Sequence, residues 1–302
     1  MKNFDQIYEE VYKEYNDELE KIKEPVKKRS NIRYIISFFI LIIGGILTYI
    51  LKPQIISIGL NENLPIEIAG IVAIIFAVAK REKEYTLAFK SNVISKFVKS
   101  YSENLEYFPE NEFPEKIFNE AEFENYYRYY SEDYICGTLD GGYSIQMAEI
   151  HTKSESLGSG DSTIFYGLFA QVEHNKFIEQ TIKLRRNSII KISNRKEKIE
   201  MDSEEFETIY DVYSQDKIVT MQLLTADIMQ MLIDFKRRYK LTPELTLKGN
   251  KLYIRFQTGD VFESNIMGET LDYNTLKKYY DIINFTLEIT EKFLKNIKET
   301  EI

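Results

Sequence analysis

The sequence predicts an α+β protein: an N-terminal amphipathic helix, a two-helix transmembrane hairpin, a helical stalk, then a mostly antiparallel β domain with packed helices. Three observations carry that expectation. Two apolar segments lie close together near the N-terminus. Apolar residues on both sides of them recur at helical spacing. From about residue 134 the pattern turns to strands broken by turn residues, and it closes in amphipathic stretches.

The first apolar segment, residues 34–51, reads YIISFFILIIGGILTYIL and contains no charge. As a helix it spans about 27 Å, close to a hydrocarbon core of about 30 Å. Gly44 and Gly45 suit a membrane helix, where small residues let neighbours approach, and Tyr34 and Tyr49 sit near its ends, where amphipathic rings favour the interface. The second segment, residues 64–79 (LPIEIAGIVAIIFAVA), is shorter. Pro65 fits a first helical turn, whose N–H groups lack partners anyway, and Glu67 then lies near the outer interface.

Charge sets the orientation. Lys21, Lys23, Lys27, Lys28, Arg29 and Arg33 precede the first segment, and Lys80, Arg81 and Lys83 follow the second. The connector, 52–63, holds only Lys52. Positive residues stay on the cytoplasmic side. A cell-membrane protein with two spans and both termini in the cytoplasm is therefore expected, with the lipid bilayer as its first partner. No cleavable signal peptide is expected, because the apolar run starts behind a charged helix and no small-residue cleavage motif follows it.

Residues 1–33 read as a cytosolic helix with a narrow stripe of Phe4, Tyr8, Val11, Tyr15 and Ile22, Glu18 taking the missing seam position. Residues 80–108 follow the hairpin (34–79) with Phe89, Val93, Phe97, Tyr101 and Leu105 at every fourth place. A hairpin in the bilayer sets these two helices side by side as an antiparallel stalk; a helix lying on the lipid surface is the competing reading. Pro109 and Pro114 end the stalk and open the cytosolic domain, 109–302.

Within that domain strands are expected at 143–152, 163–173, 177–184 and 188–193, with LGSGDS (157–162) and Asn175-Lys176 as turns. A short helix is expected at 202–210. Thr225 caps a helix through Tyr239 with Ile228, Met229, Leu232 and Phe235 on one face. Segments 245–247 and 252–257 flank Lys248-Gly249-Asn250-Lys251, a hairpin-turn sequence. The last helix, 276–297, carries two apolar faces and packs on two sides.

The chemistry is sparse. A formal net charge of -9 disfavours nucleic acid, whose phosphates need a basic surface. A lone cysteine, Cys136, excludes an internal disulfide, and beside Ile135 it reads as a small buried residue rather than a nucleophile. LGSGDS lacks the lysine of a phosphate loop. His151 and His174 each lie near a strand end; meeting across a hairpin, they would hold a metal with Asp133 or Asp161. They lack HxH or HExxH spacing, so no metal, cofactor or catalytic group is assigned. The tyrosines of ENYYRYYSEDY (124–134) fit either a contact surface or core packing. The leading expectation is a membrane-anchored cytosolic binding or scaffold module. The alternative is a hydrolase-like enzyme at the inner membrane face using His151, His174 and Asp133.

Five blocks follow one another in order: EDYICG (132–137), FYGLFAQVEHNKF (165–177), FETIYDVYSQD (206–216), LLTADIMQMLIDF (223–235), and KLYIRF (251–256) ahead of Phe262-Glu263. Together they resemble the bacterial domain-of-unknown-function 3137 family, from about Glu132 to the end. DKIVTMQLLT and LRRNS depart from the family's usual acidic-arginine and valine-leucine-proline stretches. The resemblance implies paired N-terminal spans and a partner among membrane or envelope proteins, of the LemA type. It implies no activity.

Overall fold

The computed structural model describes residues 3–57, 61, 63–78, 83–139, 142–155, 160–187 and 197–299. The chain forms two compact units: Glu9–Val93 with Ser264–Asp272, and Met1–Tyr8 with Ile94–Glu263 and Tyr273–Ile302.

The first unit is helical. Helix α1 (Phe4–Ser57) runs without a break through the boundary expected at residue 33. It holds the one stretch among the described residues long and apolar enough to cross a membrane, with a mean hydropathy of 2.4 over eighteen residues, and only 11% of that stretch is buried. Phe38, Phe39, Ile43, Ile46 and Ile50 are all exposed. A core helix of a water-soluble protein hides such a surface. Helix α2 (Leu64–Val78) is strongly apolar but shorter.

The two helices touch through small residues. Ser37 Oγ donates to the Ala73 carbonyl at 3.1 Å, and a Cβ on Gly44 would overlap the Ala69 methyl, whereas one on Gly45 would find room beside Ile66. Asn61 Nδ2 donates to Glu67 Oε1 at 3.0 Å near the start of α2.

Of the basic flank, Lys28 and Arg29 are exposed, and Lys27 and Arg33 half-buried. Lys23 is buried, and its Nζ donates to the Gly268 carbonyl at 2.6 Å and Thr270 Oγ1 at 2.7 Å. Lys80 and Arg81 lie outside the described residues, as does the side chain of Lys83.

Over residues 4–33 of α1 the buried apolar positions are Phe4, Ile7, Val11, Leu19 and Val26, while Tyr8, Tyr15 and Ile22 are half-buried and Glu18 is exposed. The expected seven-residue seam drifts by about 20° per heptad on a straight helix, and the 3.6-residue repeat wins. After α2 come α3 (Lys83–Phe89), a π-helical turn (Lys90–Ile94) and α4 (Ser95–Tyr101). Four-residue spacing overshoots an α-helical turn by about 40° per step. The wider π turn absorbs the excess, so Tyr85, Phe89, Val93 and Phe97 are all buried. Leu105, the expected last rung of the stalk, instead opens a strand, because Ser102 leaves the helix in an extended conformation.

The second unit is built on an antiparallel sheet. Its strands are β1 (Leu105–Phe108), β2 (Arg128–Leu139), β3 (Tyr143–Ser154), β4 (Ser162–Arg186), β5 (Lys198–Ile199), β6 (Tyr210–Tyr213) and β7 (Glu244–Phe256). The order is β1-β2-β3-β4-β6-β5, with β7 also paired to β4. Two expected turns are absent. Asn175-Lys176 lies inside β4 and Lys248–Lys251 inside β7, and the two strands pair on both sides of a bulged stretch where Ile178 faces Gly249. Gly249 takes φ +61°, which an ordinary side chain resists. Gly and Asn serve bulges as readily as tight turns, which is why these positions read as hairpins. The strand expected at 188–193 falls outside the described residues.

One sheet face is covered by α5 (Glu115–Glu120) and its flanking loops. Phe113, Phe118, Ala148, Ile150, Phe165, Phe169 and Tyr253 form that core. Arg255 crosses it, pairing with Glu124 and with Glu244 at 2.7 Å while lying over the Phe123 ring. On the other face Phe256 meets Phe235 and Phe285, at ring distances of 5.7 and 6.0 Å. Those two rings come from α8 (Ala226–Tyr239) and α9 (Tyr273–Glu299), the helices expected at 225–239 and 276–297. Helix α6 (Glu204–Ile209) starts at a Ser203 cap, and α7 (Lys217–Leu223) at an Asp216 cap. Thr225 stands at the expected cap position, but its hydroxyl bonds the Asp227 carboxylate. Phe4 belongs to this unit, packed with Phe97, Tyr273 and Tyr280.

The Gly44–Ala69 approach yields a prediction. Gly44→Val lowers the melting temperature of detergent-purified protein, by the equivalent of about 1–3 kcal/mol of overpacking, whereas Gly45→Ala leaves it unchanged or higher.

Candidate functional site

Strand register gathers the polar residues of the sheet. Tyr130 lies opposite His151, and His151 opposite Tyr166; Glu132 lies opposite Glu149. Directly opposed residues share a face. Tyr130, Ser131, Glu132, Glu149, His151 and Tyr166 line a cavity of about 290 Å³ at one end of the sheet.

Two irregular segments complete it. A bulge between Glu132 and Ile135 places Asp133 at φ +60° and buries it fully. There the Tyr107 hydroxyl donates to Asp133 Oδ1, and the Asp133 N–H donates to the Pro109 carbonyl at 3.2 Å. The loop after β7 supplies the rest. Val261 N–H donates to Glu149 Oε2 at 2.6 Å, and the Tyr166 hydroxyl donates to Asp260. Glu263 brings a carboxylate oxygen within 4.8 Å of those of Glu132 and Asp133. Gly167 admits this loop: a Cβ there would overlap the Phe256 carbonyl, and Gly259 N–H donates to the Tyr166 carbonyl at 3.0 Å.

The electrostatics follow from burial and like charge. The Glu149 carboxyl is pushed up to about 8, first by desolvation and then by Asp133, Asp260 and Glu132, with the Val261 N–H opposing. His151 is lowered by burial and by Lys153, which keeps its imidazole neutral near pH 7. The ring stacks on Tyr166 at 4.5 Å, and Nε2 lies 2.9 Å from Thr163 Oγ1. Burial and the Asp260 carboxylate raise the Tyr166 hydroxyl. Glu132, Asp133 and Glu263 offer the oxygen-only donor set of a hard cation.

Of the residues singled out from sequence, the structure brings His151 and Asp133 to this neighbourhood and leaves His174 out. His174 shares a sheet face with Tyr166 but stands eight residues further along β4, about 26 Å at strand rise. The two imidazoles do not meet across the β3–β4 pair, because its register sets His151 against Tyr166 and Ser144 against Glu173, next to His174. His174 is instead buried, with neither ring nitrogen at hydrogen-bonding geometry to a partner among the described residues.

Asp161 pairs with Arg128 at 3.0 Å. Cys136 is half-buried on β2 opposite Gln146, six residues from the Tyr130–His151 rung. The tyrosines of 124–134 divide. Tyr126, Tyr129 and Tyr134 pack on the core, while Tyr127 and Tyr130 are exposed.

Glu132, Glu149, Asp260, Glu263 and Tyr166 were not singled out as a site. One signal was present: Glu149 is a charge that follows Tyr143, Ile145 and Met147 at alternate positions of β3.

This geometry defines an α+β sheet domain with an acidic, aromatic-walled pocket. Residues 163–295 match the model of a family described as protein of unknown function (DUF3137), the family to which the sequence blocks point. The match runs from β4 into α9. No curated protein matches. Among solved structures, the crystal structure of the mycobacterial trehalose monomycolate transport factor A, TtfA, is similar at 9% identity. That likeness covers 66% of this chain and 94% of that one at a TM-score of 0.35, too low to transfer a fold or a role.

Two predictions follow from the buried titratable groups. Glu149 holds its proton more tightly folded than unfolded, so its contribution is complete below about pH 4.5 and is lost as pH rises to about 8. Glu149→Gln keeps the acceptor for Val261 and removes that loss. Urea denaturation should show the variant gaining on wild type with rising pH across this window, by at most about 1.4 kcal/mol per pH unit. His174 behaves oppositely. Burial lowers its pKa, with the Lys176 backbone and Glu173 opposing, so stability is lost as pH falls below about 6.5 through the folded value. His174→Leu, which leaves no unpaired nitrogen, should stabilise by about 1 kcal/mol at pH 7 and more at pH 5.

Proposed function

We propose that this chain is a membrane-anchored binding module. Residues 34–51 and 64–79 cross the bilayer as a hairpin, both termini lie in the cytoplasm, and the domain from residue 109 onward carries the binding surface. One observation supports this most: the apolar side chains of α1 between Ile32 and Ile50 are largely exposed, a surface that calls for lipid as its solvent. The Gly44–Ala69 and Ser37–Ala73 contacts are the small-residue kind that membrane helices use to pair. At 15 described residues, α2 spans about 22 Å, which local thinning of the bilayer accommodates. The basic residues flanking both segments favour the inward orientation of their ends.

The partner favoured by the family resemblance is another membrane or envelope protein, of the LemA type, with the acidic pocket available for a small ligand. The hydrolase alternative needs His151 and His174 together, and the β3–β4 register, which sets His151 against Tyr166, disfavours it. A reporter fused after Arg81 tests the topology. Cytoplasmic reporter activity is expected; activity on the outer side, or recovery of detergent-free protein in the supernatant after ultracentrifugation, overturns the reading.

A further inference from the structure

The cavity between β2, β3 and β4 has a lining that selects one kind of ligand. Three of its six residues are rings, Tyr130, His151 and Tyr166, and two are carboxylic acids, Glu132 and Glu149. Neither Lys nor Arg is among the six. Aromatic faces carry negative quadrupole density that attracts cations, most strongly where water is partly excluded. Tyr130 already receives one cation, the Lys153 ammonium 5.6 Å from its ring centre.

Glu132 and Glu149 stand directly opposite each other on neighbouring strands and share one face. Glu149 is buried, its Oε2 accepting the Val261 N–H. Among the six lining residues an anion would meet two carboxyls and neither Lys nor Arg. At about 290 Å³ the cavity lies at the small end of the roughly 300–1,000 Å³ usual for ligand pockets. Its mixed walls suit a compact ammonium with an apolar skirt, since methyl or methylene groups can lie against the rings while the charge faces the acids.

We propose that this cavity binds the ammonium group of a small organic cation, Tyr130 and Tyr166 holding its apolar skirt and Glu132 and Glu149 its charge. The assignment rests on the binding-module reading and names its ligand class.

The test uses the full chain in a maltoside detergent, titrated calorimetrically with choline chloride and with its neutral isostere 3,3-dimethylbutan-1-ol. Choline is expected to bind saturably, on the order of millimolar, and the isostere not to bind. Tyr130→Leu and Glu132→Gln, both at exposed positions, should each weaken choline by about tenfold, with Tyr130→Phe retaining it. Glycerophosphocholine separates two sources of the same group: tighter binding than choline assigns a lipid headgroup, weaker binding a free solute. Equal binding of the neutral isostere overturns the proposal. So does absence of choline binding by protein that shows a cooperative melt, or unchanged affinity in Tyr130→Leu. The topology reporter reads the anchor independently, so failure of the ligand class and failure of the module reading give different results.

Discussion

The domain depends on the hydrogen-bond ladder of β4. This one strand of 25 residues pairs with β3 along its first half, with β6 at its end, and with β7 along most of its length. Both cores exist because its side chains alternate. Phe165 and Phe169 face α5, while Leu168, Ala170 and Val172 face the opposite way. The pocket depends on the same ladder, since the β3–β4 register sets His151 against Tyr166, and the β2–β3 register sets Glu132 against Glu149.

Much of this was legible in the sequence. Alternation located β3 and the first half of β4, and apolar faces located α8 and α9, because each signal is local and has a period of its own. The uncharged segment 34–51 needed only its length and composition. What failed was punctuation. Asn175-Lys176 and Lys248–Lys251 have the composition of turns, and only the long-range pairing of β4 with β7 makes them a bulge. Leu105 continued a helical rhythm until Ser102 ended it.

The site was less legible, because its parts come from four separate segments. His151 and Asp133 were found as rare or acidic residues near strand ends, without the partners that give them a setting. Glu149 was visible only as a charge in line with Tyr143, Ile145 and Met147, and such a residue means little until its opposite number is known. That opposite number, Glu132, sat inside a block noticed for family likeness rather than for chemistry. Lys23, read only as one of the charges that set orientation, is also a buried donor to the Gly268 carbonyl and the Thr270 hydroxyl.

The bulge where Ile178 meets Gly249 bears on how this domain can vary over evolutionary time. Side-chain direction flips with each residue of a strand, so loss or gain of a single codon there would turn Leu252, Ile254 and Phe256 from one core towards the other. Loops at the rim can grow or shrink freely, but the ribbon formed by these two strands behaves like a ruler. Chain length along this ribbon is therefore constrained by side-chain direction, independently of which apolar residue stands at each place.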